Sequence, residues 1–488
     1  MANHMTPDEF RRHGHQVVDW IADYWSTLDQ RPVTSADPPG TVAARLPAGA
    51  PERGEPFDRL IADLDTVIAP GLTHWQHPRF FGYFPANTSG PSVLGDLVGA
   101  GLGVQGMLWS TSPACTEVET VVLDWLAELL DLPARFRSGG SGGSGGGVIQ
   151  DSASSAILIA VLAALHRAGA GRWRGHGVER AYRIYTSTQG HSAIEKAARI
   201  AGLGDAGLRT VGVDPETLAM DPAALRTAIE ADLATGLVPA AVVATIGTTS
   251  TNAVDPIQAI GELCREYGLW LHVDAAYAGA AAVCPELRHT HAGLEYADSY
   301  CFDPHKWLLT GFDCDAFWVA DRAELVEALT VLPEYLRNAA TDSGEVLDYR
   351  DWQVPLGRRF RALKLWFVLR WYGAEGLRAH IRDTVALAER FADRVRADQR
   401  FELVAPSPFA LVCFRLRSTS DGAADDGANA ELLDRVNATG RAYLTHTRVG
   451  GRYTLRLVPG SPYTREEHVA QTWRLISEIA AALPDRRD

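Results

Sequence analysis

The 488-residue chain carries 46 Lys plus Arg against 60 Asp plus Glu, a net charge of −14, and is 46% hydrophobic. That length and apolar content fit two or three domains around a large core, and an acidic balance without a basic run argues against nucleic acid or an anionic membrane surface as partner. No charged-then-apolar leader and no apolar run of about 18 residues is present, and the six cysteines form no C-x-x-C pair, so the expectation is a cytoplasmic protein without a membrane span.

Residues 6–28 read as an amphipathic helix. Thr6 is placed to cap it, Pro7 fits the first turn, and Phe10, Val17, Trp20, Ile21 and Tyr24 recur at helical spacing. The Pro/Gly-rich stretch 32–56 reads as an extended arm. Ser112-Pro113 opens a helix to about Leu132, with Val118, Val122, Trp125 and Leu129 on one face. Residues 138–147 are all serine and glycine and flexible by composition. The expectation is loop character for 138–144 and close approach of a phosphate to 145–147, ahead of a helix beginning near Ser152. Short β-branched or apolar runs then alternate with helical stretches. Runs 148–150, 181–186, 240–246, 270–274, 299–302 and 316–319 predict strands of a mostly parallel sheet covered on both faces. Beyond a long helix, 358–372, the pattern changes. Helix 376–397, strands near 411–417 and 453–457, and a last helix 464–483 predict a smaller α+β domain.

Four signals carry chemistry. Gly145 to Ser154 places small hydroxyl residues and free N–H groups at a strand-to-helix turn, where the positive end of the helix binds phosphate. Any helix can begin with serine, so this alone identifies nothing. His191, in Thr188-Gln-Gly-His-Ser-Ala, precedes another helix; it can stack on an aromatic cofactor or simply cap. Asp274 ends the apolar run Leu271-His-Val-Asp, so its carboxylate points into the ligand crevice of an open α/β sheet. Opposite a pyridine nitrogen it would keep that nitrogen protonated; the alternative is a structural helix cap. His272 and Asp274 have no third ligand at metal-site spacing, so no metal is expected. Lys306, in Phe302-Asp-Pro-His-Lys-Trp307, is one of only three lysines, with Lys196 and Lys364. A neutral lysine amine condenses with an aldehyde, which arginine cannot do, and desolvation among Phe302, Trp307, Leu308 and Leu309 is expected to favour the neutral form. The alternative is a snorkelling surface lysine. Phosphate cradle, ring stacker, strand-end Asp and lysine together describe pyridoxal 5'-phosphate held through Lys306. A nucleotide-binding module without covalent chemistry is the rival of a different class, but no G-x-x-x-x-G-K-[ST] motif is present.

These residues sit within longer runs: His77-Pro-Arg-Phe-Phe-Gly-Tyr-Phe-Pro85, Ser112-Pro-Ala-Cys-Thr-Glu-Val-Glu119, His272-Val-Asp-Ala-Ala-Tyr-Ala-Gly279, Pro304-His-Lys-Trp307 and Asp351-Trp-Gln-Val-Pro-Leu-Gly-Arg-Arg-Phe-Arg361. In them the chain resembles the group II pyridoxal-phosphate decarboxylases, and specifically their aromatic L-amino-acid branch, over nearly its whole length. The resemblance implies an α/β fold of type I. Residues 1–90 would form an N-terminal helical arm and dimer clamp, 91–375 a large cofactor domain with a mostly parallel seven-stranded sheet, and 376–488 a small C-terminal domain. It also implies a homodimer with active sites at the subunit interface.

By position, the resemblance makes Lys306 the Schiff-base lysine, Asp274 the pyridinium partner and His191 the ring stacker. Ser152, Ala153 and Ser154 match the phosphate loop, while Thr249, His305 and Gly357 match further cofactor-side positions. Trp75, Tyr83, Phe84, Pro85 and Ala86, with His191, would form the aromatic substrate wall, and Gln105 and Met107 would come from across the dimer. Many relatives carry Asn where Asp303 stands; a carboxylate there repels phosphate unless it turns away or pairs with a cation. Met107 and Ala86 also depart from the animal pattern, where Phe and Thr stand. Tyr335, in Leu332-Pro-Glu-Tyr-Leu-Arg-Asn338, matches the mobile-loop tyrosine that delivers a proton after carbon dioxide leaves, and 338–349 reads as a closing lid around Gly344. Relatives with Phe at the tyrosine position, or Asn at the stacking position, tend to be aldehyde synthases, so Tyr335 and His191 favour amine formation. Gly357 matches a position where plant relatives with glycine favour indolic substrates and those with serine phenolic ones. Without a side chain it leaves room for a larger ring, so the resemblance implies tryptophan or 5-hydroxytryptophan, with tyrosine, dihydroxyphenylalanine and phenylalanine admitted. Glutamate is disfavoured, because an aromatic wall offers no cation to its side chain.

Overall fold

The computed structural model describes residues 4–139, 144–417 and 422–483. Seven strands form the larger sheet: β1 (Gly146–Gln150), β2 (Tyr182–Ser187), β3 (Leu208–Val211), β4 (Val238–Thr245), β5 (Trp270–Asp274), β6 (Ser299–Phe302) and β7 (Asp315–Val319). Their order is β1-β7-β6-β5-β4-β2-β3. β6, β5, β4, β2 and β3 run parallel, and β7 pairs antiparallel with both β6 and β1. Periodicity missed β3. Its four residues, Leu-Arg-Thr-Val, are too short and too exposed at the sheet edge to show a run.

The central strands are buried on both faces, as parallel sheets covered by helices must be. One face packs the helix Ala153–Ala168 with Ala156, Ile157, Ala160 and Ala164 turned inward. The opposite side shares a core with Pro113–Leu129 and the C-terminal layer. Glycines 145–147 open β1 at the end away from Ser152. A Cβ on Gly147 would lie 2.7 Å from Trp318 Nε1, one on Gly146 would lie 3.0 Å from Trp352, and one on Gly145 would strike the carbonyls of Arg135 and Val319. These glycines admit tryptophans and main chain. The expected phosphate approach there is wrong, because the run enters the strand at its amino end whereas the turn to the helix follows its carboxyl end. Residues 140–143, within the run expected to be a loop, lie outside the described residues.

The second sheet has four antiparallel strands, β8 (Phe401–Leu403), β9 (Val412–Leu416), β10 (Thr445–Val449) and β11 (Arg452–Leu457), in the order β10-β11-β9-β8. Between the sheets runs the long helix Arg361–Ala397, broken at Gly373 (φ 60°, ψ 176°). That glycine separates the two helices expected on either side of 373–375. The N-terminal helix, Pro7–Ser26, has the full capping box: the Thr6 hydroxyl accepts Glu9 N–H at 3.2 Å, and Glu9 accepts Thr6 N–H at 2.8 Å. Its apolar stripe buries no residue within this chain. Residues 74–87 are stitched to the C-terminal layer: Phe81 N–H donates to Tyr443 O (2.8 Å) and Val458 N–H to Phe81 O (3.0 Å). Among the described residues, no helix is long and apolar enough to cross a membrane.

Candidate active site

At the carboxyl ends of β4, β5 and β6 lies a cavity of about 190 Å³. The volume is below the roughly 300–1,000 Å³ of whole ligand sites, so the enclosed part suits one compact group. Strand register sets its floor, since Thr245 of β4 pairs with Asp274 of β5, and Asp274 with Cys301 of β6. β6 leads through Asp303 into the single turn Pro304–Trp307, which carries Lys306.

Ser152, Ala153, Ser154, His191, Thr249, Asp274, Asp303, His305, Lys306 and Phe84 all line this cavity. Ser152 is the N-cap of the helix Ala153–Ala168, yet its side chain makes no capping bond. His191 is the N-cap of Ser192–Ile200 and its Nδ1 accepts Ala193 N–H at 3.2 Å. The capping alternative is thus realised together with the cavity position, and the cap fixes the ring's orientation. Asp274 is buried and accepts Ala276 N–H at 3.0 Å. Burial raises its pKa, opposed by the Lys306 ammonium and that N–H. A cationic or proton-donating ring nitrogen opposite would stabilise the carboxylate.

Lys306 Nζ lies 2.5 Å from Asp303 Oδ2. Burial pulls the ammonium's pKa down, but Asp303, then Asp274 and Asp315, outweigh it, and the net shift is upward. The desolvation argument for a neutral amine therefore fails here, because three acids surround the lysine that its apolar sequence neighbours conceal. Asp303 pairs with a cation, the condition the sequence set for a carboxylate at that place, and its Oδ1 accepts Ala153 N–H at 3.2 Å.

The other candidates lie elsewhere. Trp75 (38% exposed) stacks on Tyr83 (48% exposed) at 5.5 Å and 11°, on an open face beside Tyr443. Pro85 is buried against Gly460, and Ala86 O accepts Gln76 Nε2 at 2.7 Å. Gln105 and Gly357 are neighbours: Gln105 Oε1 accepts Arg358 N–H at 2.5 Å, and a Cβ on Gly357 would sit 3.3 Å from Gln105 Nε2. Met107 is half-buried and its carbonyl accepts Arg350 N–H at 3.1 Å. None of these lines the Lys306 cavity in the single chain. Tyr335 is 77% exposed, in the turn Glu334–Leu336. The expected lid is a built element here: Asn338 caps the short helix Ala339–Ser343, and Asp348 accepts both Thr341 Oγ1 (2.6 Å) and Trp109 N–H (2.9 Å).

Sequence reasoning missed Tyr277, Arg456 and Asp315. Tyr277 stacks between Phe84 (3.8 Å, 5°) and Trp307 (4.5 Å, 4°), tying the expected substrate wall to the lysine turn. It stood three residues after Asp274, a spacing that could have flagged it. Arg456 is buried under Phe84 (5.5 Å) and donates to the carbonyls of Thr249 (2.7 Å) and Ser250 (3.2 Å). Nothing local marks it among so many arginines.

The donor set fits pyridoxal phosphate: an amine, an acid for a ring nitrogen, for a phosphate a helix N-terminus whose Ser152 side chain makes no capping bond, and the buried, unpartnered Thr245 Oγ1 beside them. Residues 39–417 match the pyridoxal-dependent decarboxylase conserved domain. The chain belongs to that decarboxylase family. Within it, the chain is 46% identical to phenylacetaldehyde synthase of Arabidopsis thaliana over 98% of this chain and 97% of that one. It is 45% identical to tryptophan decarboxylase TDC1 of Camptotheca acuminata, over 99% and 95%. The crystal structure of Oryza sativa TDC with PLP and tryptamine superposes with a TM-score of 0.96 at 43% identity, covering 99% of this chain and all of that one. The mostly parallel seven-stranded sheet is thus the decarboxylase fold.

Proposed function

We propose that the protein decarboxylates an aromatic L-amino acid to the arylalkylamine and carbon dioxide, with tryptophan or 5-hydroxytryptophan preferred and tyrosine, dihydroxyphenylalanine or phenylalanine accepted. The observation that carries this reading is the convergence of Lys306, Asp274, His191 and the Ser152–Ser154 turn on one cavity beside Phe84. Pyridoxal phosphate, when bound, supplies an aldehyde for amine capture and a ring that draws electrons from Cα. Lys306 would hold it, Asp274 would keep the ring nitrogen protonated, and His191 would cover one ring face. Ser152–Ser154 would hold the phosphate by main-chain N–H groups. Phe84, fixed by Tyr277 below it, supports an aromatic wall that binds the substrate ring and keeps water out. Tyr335 would deliver the proton to Cα.

The second subunit would complete the wall with Gln105 and Met107. An exposed apolar face supports a homodimer: Leu94 (48% exposed) and Trp371 (75%) line a surface cavity of about 440 Å³, and Leu97, three residues further along the helix Gly90–Leu102, is equally exposed. The second reading, an aldehyde synthase on the same scaffold, is favoured by the likeness to phenylacetaldehyde synthase. Both are tested by offering the aromatic amino acids singly and quantifying carbon dioxide, amine, aldehyde and peroxide. Amine with matching carbon dioxide supports the first reading; aldehyde with peroxide supports the second. Failure to release carbon dioxide from any of them overturns both.

A further inference from the structure

Asp303 lies where a second anion is expected. Its Oδ1 accepts the N–H of Ala153 (3.2 Å), at the helix end proposed for phosphate, and its Oδ2 meets Lys306 Nζ (2.5 Å). It is buried, so water does not screen it. In this arrangement the ammonium neutralises the carboxylate. Bond formation by Lys306 uses its nitrogen lone pair, so the ammonium proton must leave. Asp303 would then lose its counter-charge while a phosphate stands over the same helix terminus.

The groups facing Asp303 narrow the outcome. On its own turn, His305 Nε2 is 3.7 Å away, and burial holds that imidazole below its ordinary pKa, so it brings no full positive charge. Asp274, from β5, is a further acid. From β7, Asp315 is wholly buried beside Asp303, and neither of its carboxyl oxygens meets a hydrogen-bond donor among the described residues. Burial first, and then Asp303, push its pKa well above its ordinary value, which favours the un-ionised acid. No cation besides Lys306 is among these neighbours.

We infer that Asp303 takes the ammonium proton of Lys306 and holds it as a neutral carboxylic acid, with Asp315 as its hydrogen-bonded partner, at the phosphate end of the cavity. The step balances: Lys–NH3+ and Asp303–COO− become Lys–NH2 and Asp303–COOH, with no electrons exchanged and no proton lost to solvent. The physical cause is the reversal of the field at Asp303. The adjacent cation that favours its ionised form disappears, while burial, Asp274 and an arriving dianion all favour the neutral one. Asp303 then donates to phosphate instead of repelling it, and Asp315 acts as a positioning residue.

The inference rests on the cofactor reading, and the test separates the two. Cofactor-stripped protein with 13C-labelled aspartate is loaded with pyridoxal phosphate, and infrared difference spectra are recorded beside the visible spectrum. The wild type is expected to gain one un-ionised carboxyl signal per site relative to Asp303→Asn. In Asp315→Asn the gained band should persist but shift in frequency. Yellow protein with identical carboxyl changes in wild type and Asp303→Asn overturns the proton transfer alone. An unmoved band in Asp315→Asn overturns the part given to Asp315. Protein that never turns yellow overturns the cofactor reading and this inference with it.

Discussion

Around Lys306, polar groups arrive from the ends of β4 and β5, the turn after β6 and two helix termini and close on one buried cavity. The aromatic face of Trp75 and Tyr83, the Gln105–Gly357 contact and Tyr335 lie instead on open surface of the same chain. The difference separates two kinds of construction. A charged cluster needs low dielectric and many fixed hydrogen bonds, which a strand-end crevice supplies within one fold. A wall that admits and releases a bulky ring can be left to moving loops and a neighbouring subunit.

Four experiments break or sharpen that contrast. Lys306→Ala strikes the closed region and is expected to lower turnover by about 10⁴-fold or more, with loss of the hydride-trapped adduct by mass spectrometry. Tyr335→Phe strikes the open region. Amine output should fall by about 10²–10⁴-fold while cofactor absorbance stays, with aldehyde, ammonia and peroxide rising in product assays. Finding only amine at the original rate would remove Tyr335 from the mechanism.

His77 roots the segment shared by both regions. It is fully buried, its Nδ1 accepts Arg79 N–H at 2.9 Å, and burial followed by the Arg79 guanidinium hold its pKa down to about 4. A depressed histidine pKa stabilises the fold above about pH 6.5, and that stability is lost as pH falls, because only the unfolded chain takes up the proton. Between pH 6.5 and 4 the wild type should therefore lose about 3 kcal/mol more unfolding free energy than His77→Gln in denaturant titrations. The smallest effect is assigned to Leu97→Glu on the exposed apolar face. It should yield monomers by sedimentation and cut turnover roughly tenfold or more, with cofactor affinity changed only a few-fold. Equal losses of cofactor and turnover would mean that the Lys306 cavity also depends on the second subunit.

Much of this organisation was legible in the amino-acid order. Short β-branched or apolar runs located six of the larger sheet's strands, and Thr6 with Pro7 marked the first helix start. β8 and β10 escaped with β3: β8 has only three residues, and β10, Thr-His-Thr-Arg-Val, lacks an apolar alternation. The lysine's scarcity was informative but did not decide the site by itself. Lys364 is equally scarce and fully buried, and it pairs with Asp96 at 3.1 Å. Glycines 145–147 misled because glycine permits close approach without saying by what.

The chain's order by itself determined the strand-end Asp274, the serine turn, the capping His191 and the lysine turn, since each is written in a short local pattern. Only the tertiary structure decided that Lys306 is ringed by Asp303, Asp274 and Asp315, and that Tyr277 and Arg456 brace Phe84. Charge states and stacking depend on distances between residues remote in sequence, and those distances are set when the sheet closes and excludes water.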